Sequence, residues 1–411
     1  MEIETILARL TPLLWFLAWV PLVALVHELG HALVASSAGF RLTSFGIGRG
    51  RPIVRTRMPG GIVFHIGWLF FTGGACVAIP RSPEAGPRAA LFHGGGIAAQ
   101  VVLGCLLLLV PEGAWSAWAE AGGQFNLMVA VWNLLPWRWG RVASDGWWLF
   151  SRLTQGAMAP RRALFEQRRA IEQVLEYETR VRSPIGMWYG HLMLAWCDLL
   201  TGRRASAMER LDQARPLPIS DPHLEGIEAL VRAEAALRNA QPLVALRIIE
   251  STRAWLSDPT ETTDLLTMVE ARAWLTLGDL DRARRAVGRL AGLGGPIGRE
   301  AMSVALAIAV QAEDRPTIDS TANRLARAST LGMFDPLAAS LALDQAASLA
   351  PDAPTAARWR ARAVGIARAA LHQATAEDKP TLRALLNRIL DRDTGPLSPA
   401  VARATEDRVT Q

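Results

Sequence analysis

Long uncharged stretches crowd the first third of the chain, and mixed charged and apolar periodicity fills the rest. Three runs stand out: Leu10 to Val26 with 17 residues, Ala89 to Val110 with 22, and Ala121 to Trp137 with 17. A helix needs ~20 apolar residues to cross a bilayer, with ~17 as the lower end. The first run stays apolar past Glu28 as far as Phe40. The pattern therefore predicts three spanning helices, at about 10–38, 89–110 and 117–137. Trp118, Trp132, Trp137 and Trp139 suit the membrane interface around the third. Glu2 and Glu4 stand where a signal peptide would carry a basic cluster, so the first run is expected to be a retained span. Between the first two spans, Arg55 to Phe71 has alternating character, and Ile62-Val63-Phe64-His65-Ile66 reads as a strand. An exposed strand edge is expected there. After the third span, Gly146 to Thr154 is too short to cross again and reads as an amphipathic helix on the membrane surface.

Charge sharpens the division. Residues 1–150 hold 10 Arg and 7 acids, whereas residues 151–411 hold 34 basic and 31 acidic residues. Ten of the fifteen tryptophans also fall in the first 150. A membrane domain, 1–155, is thus expected to precede a soluble one, 156–393, with a flexible tail at 394–411. The join falls near Gln155 to Arg162, where Gly, Pro and paired arginines break the pattern. Arg41, Arg49, Arg51, Arg55 and Arg57 follow the first span, and Arg138, Arg141 and Arg152 follow the third. The positive-inside rule then places the N-terminus outside and residues 156–411 in the cytoplasm.

Composition removes other classes. Half the residues are hydrophobic and 20% are charged, which excludes a wholly disordered chain. The three cysteines, Cys76, Cys105 and Cys197, are too sparse for a disulfide scaffold. Net charge is +6, yet Lys379 is the only lysine and the arginines are scattered, so no nucleic-acid partner is expected.

The candidate chemistry sits in the first span. Leu25-Val26-His27-Glu28-Leu29-Gly30-His31 contains H-E-x-x-H. On a helix, positions i and i+4 share a face, so both imidazoles can reach one Zn2+. Glu28 is then placed beside the metal, where it can take a proton from a zinc-bound water. Ionisable groups at the centre of a spanning helix cost ~2.5–3.5 kcal/mol each on insertion scales, so they are rarely carried without function. Two histidines leave a catalytic zinc one protein ligand short. The candidates are His65, His93, Asp145, Glu112 and Glu120, and the last two fall on the opposite membrane side by the charge argument. Asn133, at the inner end of the third span, could hydrogen-bond a strand's backbone.

H-E-x-x-H in the first span, with Asn133-Leu134-Leu135-Pro136 and Asp145-Gly146 after a later one, resembles the site-2 proteases, a family of intramembrane zinc metalloproteases. The resemblance covers roughly residues 5–155. It implies that Asp145 is the third zinc ligand. Phe45-Gly46-Ile47-Gly48 and Phe71-Thr72-Gly73-Gly74-Ala75-Cys76-Val77 are similar to the family's membrane-associated β-hairpin, and Gly73 and Gly74 become candidate substrate-binding positions with Asn133. Gly96-Ile97-Ala98-Ala99-Gln100 stands where the family often has G-P-x-x-N, so Ile97 and Gln100 depart from it. Asp145 also lies nine residues after Pro136, against five in the short family form.

The second half carries a period. Gly202, Asn239, Gly278 and Asp314 mark turns at spacings of 37, 39 and 36. The unit Ala271 to Ala283, with Trp274-Leu275-Thr276-Leu277-Gly278, resembles a tetratricopeptide helix-turn-helix. Such repeats build concave binding surfaces.

The fold class expected is mainly α: a polytopic membrane helix core with a membrane-associated β-hairpin, then an all-α helical-hairpin repeat domain. The function expected is a bacterial, multi-pass membrane metalloendopeptidase with Zn2+ on His27, His31 and Asp145 and Glu28 as its base. Its partners would be a membrane-spanning protein substrate, membrane lipid and a protein bound by the repeats. Two other classes fit the same residues: an idle membrane anchor that displays a scaffold, and a zinc enzyme acting on a non-peptide substrate.

Overall fold

A computed structural model describes residues 3–80, 85–113, 115–139, 142–154, 160–200, 203–214, 221–256, 261–290, 295–327, 336–373, 383–384 and 386–387. The expected turn at Gly202, residues 155–159 of the expected join, and the tail 394–411 lie outside these residues. The chain forms two compact units. The first comprises Met1–Ala157, Gln167–Met193 and Gln213–Leu224, and the second Met158–Glu166, Leu194–Asp212 and Glu225–Gln411.

The first unit opens with helix α1, Ile3–Ala35. Gly39, at φ +81°, turns the chain into strand β1, Phe40–Arg57, and a tight turn at Pro59–Gly61 leads to strand β2, Val63–Pro80. Helices α2, Ala85–Leu108, and α3, Ser116–Leu134, follow. Pro136 disfavours helix at the residue before it, and Leu135 is extended at φ −65°, ψ 133°, so α3 stops there. Two short paired strands, β3 (Arg138–Trp139) and β4 (Val142–Ala143), lead to helix α4, Asp145–Thr154.

Among the described residues, two helical segments are long and apolar enough to cross a membrane, Leu17–Ala35 and Ala90–Leu108. They correspond to the first two expected spans. The third expected span is helical, as α3, but is not among them. Glu120, Gln124, Asn126 and Asn133 dilute its apolar character. Helices α1 and α2 approach closely because glycines face each other: a Cβ on Gly30 would collide with the Gly95 carbonyl. Small residues at such crossings let backbones touch where no hydrophobic force drives helices together.

The hairpin is more than two straight strands. Phe45 to Ile47 of β1 pairs with Gly74 to Cys76 on one side and with Phe64 to Ile66 on the other. Val54 to Arg57 of β1 pairs with Val63 to Ile66 again. Each strand therefore bends, near Gly48 and Gly50 (φ +84° and +82°) in β1 and at Gly73 (φ +99°) in β2. The stretch from Arg55 to Phe71, expected to offer an exposed edge, is corrected in part: Val63 to Ile66 is interior, paired on both sides. The outer segments are Val54 to Arg57 and Gly74 to Pro80.

The first unit also reaches past residue 155. Helix α5 runs Pro160–Val181 and helix α6 Pro184–Leu200, and it is their stretch Gln167–Met193 that belongs to this unit. Glu178 of α5 is buried, and its Oε1 accepts from the hydroxyls of Thr43 (2.8 Å) and Ser44 (2.7 Å) of β1. Tyr177 places its hydroxyl 3.1 Å from His65 Nε2 in β2. Arg41 pairs with Asp221. These polar contacts tie the chain after the expected boundary to the hairpin.

The second unit is all helical among its described residues. It holds most of α7, Arg204–Gln213, and of α8, Pro222–Arg238, and all of α9, Pro242–Arg253; α10, Glu261–Thr276; α11, Leu280–Gly288; α12, Gly295–Gln311; α13, Arg315–Arg327; α14, Pro336–Ala347; and α15, Ala353–Gln373. The turns repeat in chemistry as well as in spacing. Ala240, Gly278 and Glu313 all take positive φ, at 56°, 81° and 54°. In each case the next residue's N–H returns to a carbonyl five positions back: Gln241 to Ala236 at 2.9 Å, Asp279 to Trp274 at 3.0 Å, and Asp314 to Ala309 at 3.0 Å. That is a left-handed C-terminal cap, which satisfies orphan helix carbonyls. Asp279 and Asp314 then cap the following helices through the N–H groups of Arg282 and Thr317. Asn239, Gly278 and Asp314 thus lie in or beside helix-turn-helix connections. Buried apolar residues, alanines among them, fill the layers between helices, as with Ala233, Ala245, Ile249, Leu266 and Ala273. Trp359 is fully buried among α12 to α15.

Candidate metal centre

The geometry of α1 brings His27 and His31 onto one face, one turn apart, and their Nε2 atoms lie 3.1 Å from each other. Asp145, the first residue of α4, sends Oδ2 to 2.9 Å from His27 Nε2 and 3.3 Å from His31 Nε2. One ligand-capable atom from each of the three residues lies within 4.8 Å of the others.

The outer nitrogens decide what the inner ones can do. His31 Nδ1 is 2.7 Å from the Phe92 carbonyl oxygen, which only accepts, so Nδ1 carries the proton. His27 Nδ1 is 3.1 Å from Gln100 Oε1, also an acceptor. In the neutral rings both Nε2 atoms then present bare lone pairs, toward each other and toward a carboxylate. Three electron-rich atoms converge, an arrangement that a cation resolves. In a tetrahedral site with bonds of ~2.0–2.1 Å, ligand atoms are about 3.3 Å apart. The three separations of 2.9, 3.1 and 3.3 Å fit that triangle. A second layer that fixes the tautomer of each histidine is the usual support of a metal site.

Glycines make the approach possible. A Cβ on Gly96 of α2 would lie 2.6 Å from His31 Nε2 and 2.7 Å from His27 Cε1. Glu28 is buried in α1, and the backbone of Gly74 packs on it: a Cβ there would lie 2.8 Å from Glu28 Oε1 and closer still to Cγ. A Cβ on Gly146 would collide with the end of α3 at Leu134, so the Asp145-Gly146 pair also serves close packing.

The other sequence candidates are distributed as follows. Asn133 lies with its Nδ2 3.4 Å from Gln100 Oε1 and 3.5 Å from His27 Nδ1, behind the histidine face. Gly74 lies on Glu28, and Gly73 makes the bend in β2. His93 places Nδ1 3.1 Å from Asp145 Oδ1. His65 is buried in β2, against the Phe45 carbonyl and Tyr177, and burial lowers its pKa despite that carbonyl. Glu112 and Glu120 are exposed. The sequence reading missed the supporting roles of Gln100, Phe92 and Gly96. The run Gly94-Gly95-Gly96 was the available signal for a close approach.

Two imidazoles and a carboxylate beside a glutamate form a donor set that zinc peptidases use. Residues 15–113 match the family model described as Peptidase family M50, the site-2 protease family. The match takes in α1 with His27, Glu28 and His31, the hairpin, and α2 with His93 and Gln100, while Asp145 lies beyond it. At the level of that family, the similarity supports a membrane metalloprotease of site-2 type, and members are zinc enzymes. No curated protein and no solved structure matches the chain.

Proposed function

We propose that this protein is an intramembrane zinc endopeptidase that hydrolyses peptide bonds of membrane-spanning substrates, and that its helical repeats bind a protein partner or control access. The observation that carries the reading is the convergence of His27 Nε2, His31 Nε2 and Asp145 Oδ2, with the outer nitrogens of both rings already engaged. The family match over residues 15–113 and two membrane-length helices support it.

His27, His31 and Asp145 would hold the zinc. The bound ion supplies Lewis acidity toward a carbonyl and lowers the pKa of water to ~7. Glu28, one residue from His27, takes the water's proton on its carboxylate and delivers it to the leaving amide nitrogen. Burial of Glu28 against Gly74 keeps that carboxylate in one place. A helical substrate hides its amides in internal hydrogen bonds and must unwind before attack. The segment Gly74 to Pro80 is an outer segment of the sheet with Glu28 beside it, so it can hold an unwound stretch by strand addition. Asn133 serves substrate binding with Gly73 and Gly74 in this reading.

In this reading the N-terminus faces outward, α3 crosses the membrane as a third span, and residues 156–411 lie in the cytoplasm of a bacterial cell, as the arginine asymmetry suggests. The repeats resemble tetratricopeptide units, whose concave surfaces bind protein segments. The functional test compares the membrane proteins of cells carrying the wild type with those carrying Glu28→Gln. A membrane-spanning protein should accumulate uncleaved in the variant. Identical cleavage patterns in both would contradict the proposal.

A further inference from the structure

We propose that His93 is a positioning residue that holds Asp145 so that a single oxygen is presented to the metal. The inference rests on the reading of Asp145 as third ligand. The carboxylate's two oxygens are divided between two tasks. Oδ2 faces His27 Nε2 and His31 Nε2, at 2.9 and 3.3 Å, while Oδ1 meets His93 Nδ1 at 3.1 Å. An ionised carboxylate only accepts, so Nδ1 of His93 donates.

The contact is built from two helices. His93 follows Phe92 in α2, and the Phe92 carbonyl takes the Nδ1–H of His31. Two consecutive residues of α2 thus fix two of the three ligand side chains. On α4, Trp148 stands one helical turn after Asp145, and its ring stacks on His93 with centroids 6.0 Å apart and planes 13° apart. One turn of α4 therefore grips the His93 ring by hydrogen bond and by stacking, which fixes its tilt as well as its position. His93 Nδ1 meets Oδ1, whereas Oδ2 is the oxygen that faces the other two rings.

The arrangement has a chemical consequence. With Oδ1 engaged by His93, Asp145 would offer Oδ2 alone to a bound ion. Outer partners of this kind change metal affinity by ~10–100-fold.

The test uses the purified full-length chain in detergent. Zinc affinity is measured by competition with a chromophoric chelator, and Co2+ replaces zinc for visible absorption. The set is wild type, His93→Leu, His93→Asn, Trp148→Leu and Asp145→Ala. His93→Leu should weaken zinc by about 10–100-fold and alter the Co2+ spectrum. His93→Asn keeps an N–H donor near the same place and should restore most of the affinity. Trp148→Leu should fall between His93→Leu and wild type. Unchanged affinity in His93→Leu, with zinc bound by the wild type, would overturn this inference and leave the zinc reading standing. Loss in His93→Asn as deep as in Asp145→Ala would also overturn it, because His93 would then be a ligand itself. A wild-type chain that binds no zinc would overturn the parent reading.

Discussion

The Nε2 atoms of His27 and His31 lie 3.1 Å apart on one face of α1, and each ring's other nitrogen is engaged by α2, at Gln100 and at the Phe92 carbonyl. Helix α2 thus sets the tautomers of both rings and turns their lone pairs toward Asp145. The centre depends on how closely α2 can approach α1, which makes the glycines of α2 the sensitive positions.

Gly96→Ala should therefore abolish or sharply weaken zinc binding, because the added methyl carbon would sit 2.6 Å from His31 Nε2. Gly94→Ala is the matched control, since nothing lies within 4 Å of a Cβ there. Metal analysis of the two purified variants should show zinc lost in the first and kept in the second. Equal zinc in both would mean that α2 does not press on the histidines.

Gly74→Ala tests the hairpin's contact with Glu28. The methyl carbon would meet Glu28 Oε1 at 2.8 Å and the Gly46 carbonyl at 2.8 Å. Zinc should remain, while turnover of a cleavable membrane substrate should fall at least about tenfold, equivalent to ~1.4 kcal/mol on the barrier. Full turnover would show that the position of Glu28 is indifferent to β2.

How much of this was legible in the sequence differs from residue to residue. His27, Glu28 and His31 were visible because helical spacing alone puts i and i+4 together. Asp145 could be chosen over the other candidates only through the resemblance, since nothing local in Asp145-Gly146 separates a ligand from a helix start. Gln100 looked like a departure from a family pattern, and only the packing of α2 on α1 shows that its oxygen meets His27. The hairpin's double pairing was hidden because periodicity marks a strand but not its partners. Glu178 reads in sequence as one more acid on an amphipathic helix. Its burial follows from Thr43 and Ser44, 135 and 134 positions away. The third expected span is helical, as α3, but is not among the two segments apolar enough to cross a membrane, because a count of charge-free residues gives no weight to Gln124, Asn126 and Asn133, which are uncharged but polar.

Glu178 gives a pH prediction. Burial raises its pKa above the ordinary carboxylate value, against the opposing hydrogen bonds from Ser183, Ser44 and Thr43. The folded chain then holds a proton that the unfolded chain gives up, so stability declines as pH rises from the unfolded value of ~4.3 to the raised folded value, and levels off above it. Glu178→Gln should remove this slope and keep the acceptor for Thr43 and Ser44. Glu178→Ala should lower the melting temperature at every pH by removing the buried acceptor that the Thr43 and Ser44 hydroxyls share. Thermal melts of the full chain between about pH 4 and 8 distinguish the cases, and a Glu178→Gln profile parallel to wild type would refute the assignment.

In the second unit, Glu234 is buried between two arginines, at 2.6 Å from Arg238 Nε and 3.0 Å from Arg272 Nη1. Burial alone would raise its pKa, but Arg272 and Arg238 outweigh it and hold the carboxyl below its ordinary value. Removing one member of a buried pair costs ~3–5 kcal/mol, because the partner charge is left uncompensated. Glu234→Ala should destabilise the second unit by that order in denaturant unfolding and leave zinc content unchanged. Lost zinc in this variant would mean that the metal centre depends on the second unit for its integrity.

The central claim is that Glu28 performs the proton transfer at a zinc site that it does not itself hold together. The direct measurement pairs zinc content with cleavage of one membrane-spanning substrate, in wild type and Glu28→Gln side by side. The account predicts about one zinc per chain in both proteins and cleavage only in the wild type. Cleavage at the wild-type rate by Glu28→Gln carrying its zinc would contradict it.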